Sequence, residues 1–206
     1  MQNSKLHTLK SILTEGIKLD GKEDSIEISC IYIPKIQRAY AQGRNEESDI
    51  RKDFLDALFN VLESDEDKSI ELSFLFGSKQ IFAKKQGTGF ELLDGQQRTT
   101  TLFLLYWYIS MIEKKCVPNF LQKFTYDTRD TSIQFLDKIT SEKFSLDIPI
   151  ESPSKSIRNN KWFTEEFYCD PTVCSMLNML DGIHERYQQK TNGQLYDRLE
   201  RLQFYV

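Results

Sequence analysis

Histidine is almost missing from this chain: His7 and His184 are the only two among 206 residues. Two histidines so far apart support no Ser-His or Cys-His catalytic arrangement. Cysteine is sparse as well, with Cys30, Cys116, Cys169 and Cys174 scattered and no Cys-x-x-Cys pair. Zinc ligands come in close pairs, so a zinc site is excluded and free thiols in a reducing compartment are expected. Only 9 glycines and 5 prolines argue against long low-complexity or disordered tracts. Charge of one sign is not in excess either: the formal net charge is -4, so any nucleic-acid contact must be a local patch. The N-terminal MQNSKLHTLKSILTEG lacks the apolar core of a signal peptide. The longest apolar run, 102–112, falls short of the roughly 18 residues of a membrane span. These absences together imply a cytoplasmic protein.

What is present reads as a mixed α+β chain. Residues 5–18 have the spacing of a short amphipathic helix, with Leu6, Leu9, Ile12 and Leu13 on one side. Ile26, Ile28, Cys30 and Tyr32 alternate as in a half-buried strand, which Pro34 ends by removing a backbone donor. In SDIRKDFLDALFNVLE, Ile50, Phe54, Leu55, Leu58, Phe59 and Leu62 share a helix face. IELSFLFGSKQIFA and FELLD read as two strands, and the two glycines of KKQGTG between them suggest a hairpin. From Thr99 onward the sequence predicts a helix apolar on every side, hence buried all round.

Beyond Glu113-Lys114-Lys115 the pattern becomes mainly helical, with few strand signals. The polar stretch LDIPIESPSKSIRNN reads as a linker there, and Trp162, Phe163, Met176 and Met179 as core. A soft boundary near residue 115 separates a mixed part, 1–115, from a helical part, 116–206. No internal repeat is visible. The final LYDRLERLQFYV stops within an apolar run, which suggests that more chain follows.

Two polar clusters stand at strand ends. The first is Asp94-Gly95-Gln96-Gln97-Arg98-Thr99-Thr100, between a strand and a helix. A helix start offers unpaired N–H groups and the positive end of the dipole, so it favours anions. Gly95 allows close backbone approach, Arg98 suits a bidentate phosphate, and the threonine hydroxyls can cap the helix or touch an oxygen. Asp94 is a candidate metal-shell or water-orienting carboxylate. The same residues equally describe a tight turn and a Thr-capped helix. The second cluster is Ile33-Pro34-Lys35-Ile36-Gln37-Arg38-Ala39-Tyr40, where an amide, a guanidinium and a ring follow a strand end. It too can be an edge turn with a surface arginine. A weaker set is Tyr126, Arg129 and Asp130: Arg129 either reaches an anion in the same cleft or pairs with Asp127 or Asp130.

IPKIQRAY, FLFGSKQI and above all LLDGQQRTTTLFLL resemble the N-terminal domain of GmrSD-type proteins, bacterial type IV restriction factors that depend on DNA modification. The Asp-Gly-Gln-Gln-Arg signature, 94–98, is complete, and so is Ile-Pro-x-x-Gln-Arg-x-Tyr, 33–40. FTYDTRDTSIQFLDKI and WFTEEFYCDPTVCSMLNMLDGI look like the helical continuation of one subgroup, so the resemblance spans nearly the whole chain. It implies a fold similar to ParB and sulfiredoxin, a small mixed sheet with helices that binds a nucleotide. Gly95 and Arg98 would match the glycine and arginine shared by those proteins. Gln96 stands where sulfiredoxin keeps its catalytic cysteine, which excludes sulfinic-acid repair.

The resemblance further implies a domain that binds and hydrolyses a nucleoside triphosphate with Mg²⁺, coupled to DNA and to a separate C-terminal nuclease of His-Asn-His type. That chemistry needs clustered histidines, so cutting cannot reside in this chain. Asp94, Gln96, Gln97 and Arg98 would then be catalytic, with Asp94 also at the metal. Gln37, Arg38, Tyr40, Gly95, Thr99, Thr100 and Arg129 would bind the nucleotide. The rival reading is a non-enzymatic DNA-recognition module using the same cleft, with Lys35, Arg38, Lys84, Lys85 and Arg98 as its basic patch.

Overall fold

A computed structural model describes residues 6–18, 25–82, 87–146, 151–190 and 194–206. Its centre is a four-stranded mixed sheet in the order β6 (Phe76–Phe82), β7 (Gly87–Asp94), β4 (Cys30–Ile33), β8 (Phe124–Tyr126). Strand β4, Cys30–Ile33, is buried at all four positions. It lies between β7, Gly87–Asp94, and β8, Phe124–Tyr126, and runs parallel to both. A parallel strand flanked on each side is covered on both faces, so its sequence is apolar without alternation. The expected strand from Ile26 is therefore two elements. β3, Ser25–Ile26, pairs with β2, Ile17–Lys18, and only β4 enters the main sheet.

The long run read as one strand is also two. β5, Ile70–Phe74, leaves for a second sheet, while β6, Phe76–Phe82, forms the expected antiparallel hairpin with β7. The second sheet has the order β1-β9-β5, with β1 at Leu6–Thr8 and β9 at Leu202–Tyr205. The predicted helix over 5–18 shortens to α1, Leu9–Glu15, because the Thr8 hydroxyl caps it by accepting from the Ser11 amide at 3.0 Å. Helix α2, Ser48–Glu63, is where the periodicity puts it, but Ile50 is exposed.

Helix α3, Gln96–Glu113, starts three residues before the expected Thr99 and is buried on every side. Its buried small hydroxyls find acceptors within the helix. Thr99, Thr100, Thr101 and Ser110 each return a hydroxyl to the carbonyl four residues back, at 2.6–3.1 Å. Trp107 donates to the Ile139 carbonyl at 2.7 Å, and the Tyr108 hydroxyl meets His184 Nδ1 at 2.7 Å. The second part is mainly helical: α4, Asp130–Ile139; α5, Pro153–Arg158; α6, Glu165–Tyr168; and α7, Pro171–Gln188. Helix α5 falls in the stretch read as a linker. Ser152 caps it, Pro153 opens it, and the Ser154 amide donates to Asp181 of α7 at 2.9 Å. Residues 147–150 of that stretch lie outside the described residues. Met176, Met179 and Phe163 are buried as expected.

Contrary to the few strand signals beyond residue 115, that part contributes a strand to each of the two larger sheets. β8 closes the main sheet and β9 is the middle strand of the other. Among the described residues no helix is long and apolar enough to cross a membrane. A fragment ending at residue 115 lacks both strands and the α7 face that covers α3. It is expected to show no cooperative urea transition by circular dichroism, whereas the full chain shows one.

Candidate functional site

Three parallel strands, β4, β7 and β8, finish at one edge of the main sheet. Ile33 stands opposite Tyr126, and the Asp127 amide donates to the Ile33 carbonyl at 2.8 Å. The ends of parallel strands in an open sheet are where such folds leave a crevice. Both polar clusters leave from this edge, one after Ile33 and the other after Leu93.

Glutamine amides tie the two loops together. Gln97 Oε1 accepts from the Ala41 amide at 2.7 Å and from the Gln42 amide at 3.4 Å, and its Nε2 donates to the Ala39 carbonyl at 3.3 Å. It therefore serves residues 39–42 much as a neighbouring strand would. Gln37 Nε2 donates to the Leu93 carbonyl at 2.8 Å, and Gln96 Nε2 donates to Gln37 Oε1 at 2.8 Å. The Leu93 carbonyl can only accept, so it sets the direction of this chain of bonds. Gln96 must donate to Gln37, and its own Oε1 is left buried without a partner among the described residues. On the outer side, Gly43 brings the loop against α7: a Cβ there would lie 1.7 Å from the Ser175 carbonyl oxygen.

The rings and hydroxyls of the motifs face inward. Tyr40 is fully buried, with its hydroxyl 2.7 Å from Thr101 Oγ1, which in turn is 2.6 Å from Gln42 Oε1. Tyr126 is paired with Thr100 Oγ1 at 2.7 Å. Burial pushes both phenols far above their ordinary pKa, so each stays a donor at any physiological pH. Thr99 and Thr100 are wholly buried. The side chains of Tyr40, Thr99 and Thr100, expected to bind the nucleotide, thus face the core. Arg129 is not brought to these loops either. It lines a separate depression, with its guanidinium 3.6 Å from the Asp170 carboxylate. Asp170 is a helix cap that also holds Thr131 and Ser132 at 2.5 and 2.7 Å.

A cleft of about 320 Å³ remains between the loops and the start of α2. Gly95, Gln96, Gln97 and Arg98 form its floor, with Arg38, Gln42, Glu47, Ile50 and Asp94 around them. Gly95 has φ of 86° and no side chain caps α3, so the first-turn amides of Gln96, Gln97 and Arg98 have no intrahelical acceptor. A left-handed residue followed by a helical turn gathers successive N–H groups into an anion-binding concavity. Arg38 is exposed, with no ion pair or hydrogen bond among the described residues. Arg98 Nη2 donates to the Phe74 carbonyl at 3.3 Å, and its Nε is buried without a partner there.

Gln42, Glu47 and Ile50 escaped the sequence reading. Ile50 fits the apolar helix pattern, and nothing local marks it as 58% exposed at a cleft. Lys35 is exposed on the first loop, and Lys84 and Lys85 lie outside the described residues. No group of three His, Cys, Asp or Glu able to hold a metal occurs among the described residues. The donor set therefore does not suit a resident metal. A divalent ion bound mainly by phosphates needs only one or two carboxylates, and Asp94 supplies one.

A family model described as the GmrSD restriction endonuclease, N-terminal domain, matches residues 18–204. The chain belongs to that family. Among curated proteins and among solved structures nothing matches it. The GmrSD match spans both polar loops and the whole four-stranded sheet, and it places the chain in a restriction, phage-defence protein. In this GmrSD domain the Gln97 bridge predicts the behaviour of two variants. Gln97→Ala leaves the Ala41 amide and Ala39 carbonyl unpaired and is expected to cost about 1–3 kcal/mol of unfolding free energy in urea titration. Gly95→Ala meets both the left-handed backbone and Leu75 Cδ2 at 2.5 Å, and is expected to destabilise by a further step of about 1–2 kcal/mol.

Proposed function

We propose that the cleft binds a nucleoside triphosphate and hydrolyses it, as the sensing domain of the restriction protein. One observation carries this reading: the uncapped start of an 18-residue buried helix faces a cleft with Arg98 on its floor and Arg38 at its rim, neither with a carboxylate partner among the described residues. The resemblance of the Asp-Gly-Gln-Gln-Arg loop to nucleotide-binding relatives supports it. The first-turn amides and Arg98 take the phosphates on the floor, and Arg38 closes on them from the rim. Both guanidiniums then neutralise charge that builds on the phosphoryl oxygens as water attacks the terminal phosphorus and the bridging P–O bond breaks. Asp94 orients that water or shares the divalent ion, which when bound offsets charge between adjacent phosphates.

Of the three glutamines, Gln97 and Gln37 act as loop ties. Only Gln96 keeps a free acceptor, suited to a ligand hydroxyl, an amino group or a water. A His-Asn-His-type nuclease belongs to another part of the protein, and DNA is the expected partner of the whole.

Phosphate release from each of the four triphosphates, with and without DNA, tests the reading. Arg98→Ala is expected to lower kcat/KM by about a hundredfold, and Arg38→Ala by somewhat less. If the wild-type chain neither binds nor turns over any triphosphate, the cleft is not a nucleotide site. A mobility shift on modified over unmodified DNA in that case would establish the DNA-recognition rival.

A further inference from the structure

Arg98 is held from behind by a strained piece of a different sheet. Its Nη2 donates to the carbonyl of Phe74, the last residue of β5. The pairing of β5 with β9 slips between Glu71 and Phe74, and within that irregularity Ser73 has φ of 74°. A serine in left-handed backbone is strained and persists only where its surroundings hold it.

Tyr205 supplies that hold on both flanks. Before the bulge, its hydroxyl donates to Glu71 at 2.7 Å. After it, the Tyr205 carbonyl accepts from the Leu75 amide at 2.7 Å, and its ring lies against the Phe74 ring with centroids 5.3 Å apart. On the opposite side the segment has no slack, since a Cβ on Gly95 would meet Leu75 Cδ2 at 2.5 Å and the Phe74 carbonyl at 3.2 Å. Residues 71–75 are therefore gripped between β9 and the turn that opens α3.

We infer that Tyr205 is a positioning residue for Arg98: by fixing the bulge of β5 it aims the Phe74 carbonyl, and through it the guanidinium that faces the cleft. This rests on the nucleotide reading for its ligand, though not for its geometry. Tyr205 itself touches no cleft residue in the contacts above. The three-stranded sheet becomes part of the site's machinery, and loosening β9 lowers the cleft's affinity without altering a lining residue.

The test is a double-mutant cycle on triphosphate affinity, read with a fluorescent nucleotide well below the unfolding temperature. Tyr205→Ala is expected to weaken binding about tenfold in the wild-type background and by less than about twofold in Arg98→Ala, because its effect runs through that side chain. Tyr205→Phe keeps the ring and the carbonyl and is expected to restore most of the affinity. Equal losses in both backgrounds, or no loss in either, would overturn the inference while leaving the nucleotide reading intact. Loss of binding in Arg98→Ala without any effect of Tyr205→Ala would do the same. A ligand-free measurement covers a wild type that fails to bind. The Arg98 Nε–H resonance, assigned by its disappearance in Arg98→Lys, should shift or broaden in Tyr205→Ala and stay put in Tyr205→Phe. An unmoved resonance in Tyr205→Ala overturns the positioning role whatever the ligand.

Discussion

The side-chain amide of Gln97 is the constraint on which the cleft depends. It bonds to three backbone groups of the other loop and is itself nine-tenths buried. An amide suits that position because it donates and accepts at once without charge. A carboxylate would match the Ala41 amide but oppose the Ala39 carbonyl, and an ammonium would do the reverse. Either ion would also lose its hydration in a buried place. The neighbouring Gln37–Gln96 pair repeats the logic between the same two loops. The signature glutamines thus tie the two loops together, with the Gln96 oxygen left over.

The greasy helix that follows makes that architecture rigid. With α3 enclosed on all sides, its first turn cannot shift without moving the core, including the Phe103–Phe124 stack at 4.9 Å and the Trp107 bond to Ile139. The three threonines return their hydroxyls to the helix backbone, so the polar run is compatible with burial. Backbone amides on such a mount are held in place without a ligand, so a group that binds them meets little ordering cost.

Much of this was legible from residue pattern, and the failures have physical causes. Helix α2 shows strong periodicity over many residues, the β6–β7 hairpin is marked by the glycines between its strands, and α3 by a long apolar run. Strand β8 has only three residues, too few for a period of two to register. Helix α3 begins inside the Gln-Gln-Arg stretch, which the sequence reading missed because a first turn made of polar residues resembles a loop. The two polar loops stood out in the sequence, but the partners of their side chains did not. Gln97 meets residues more than fifty positions away, and Tyr40 turns inward to Thr101 over a similar distance. Ile50 obeys the amphipathic pattern of α2 and still faces solvent, since the pattern cannot say that the helix begins at an open cleft.

The charge around the cleft bears on what it can hold. Arg38 and Arg98 face Glu47 and Asp94 across the same opening, so the side chains sum to about zero. Duplex DNA is bound mainly by a row of cations that tracks successive phosphates, and a balanced pocket of this size offers no such row. A triphosphate concentrates its charge within a few ångströms of one point. There the first-turn amides of α3 add donors that formal charge does not count, and the carboxylates can share a divalent ion with the same phosphates. The balance that weakens the case for a polymer therefore strengthens the case for a compact polyanion carrying its own cation.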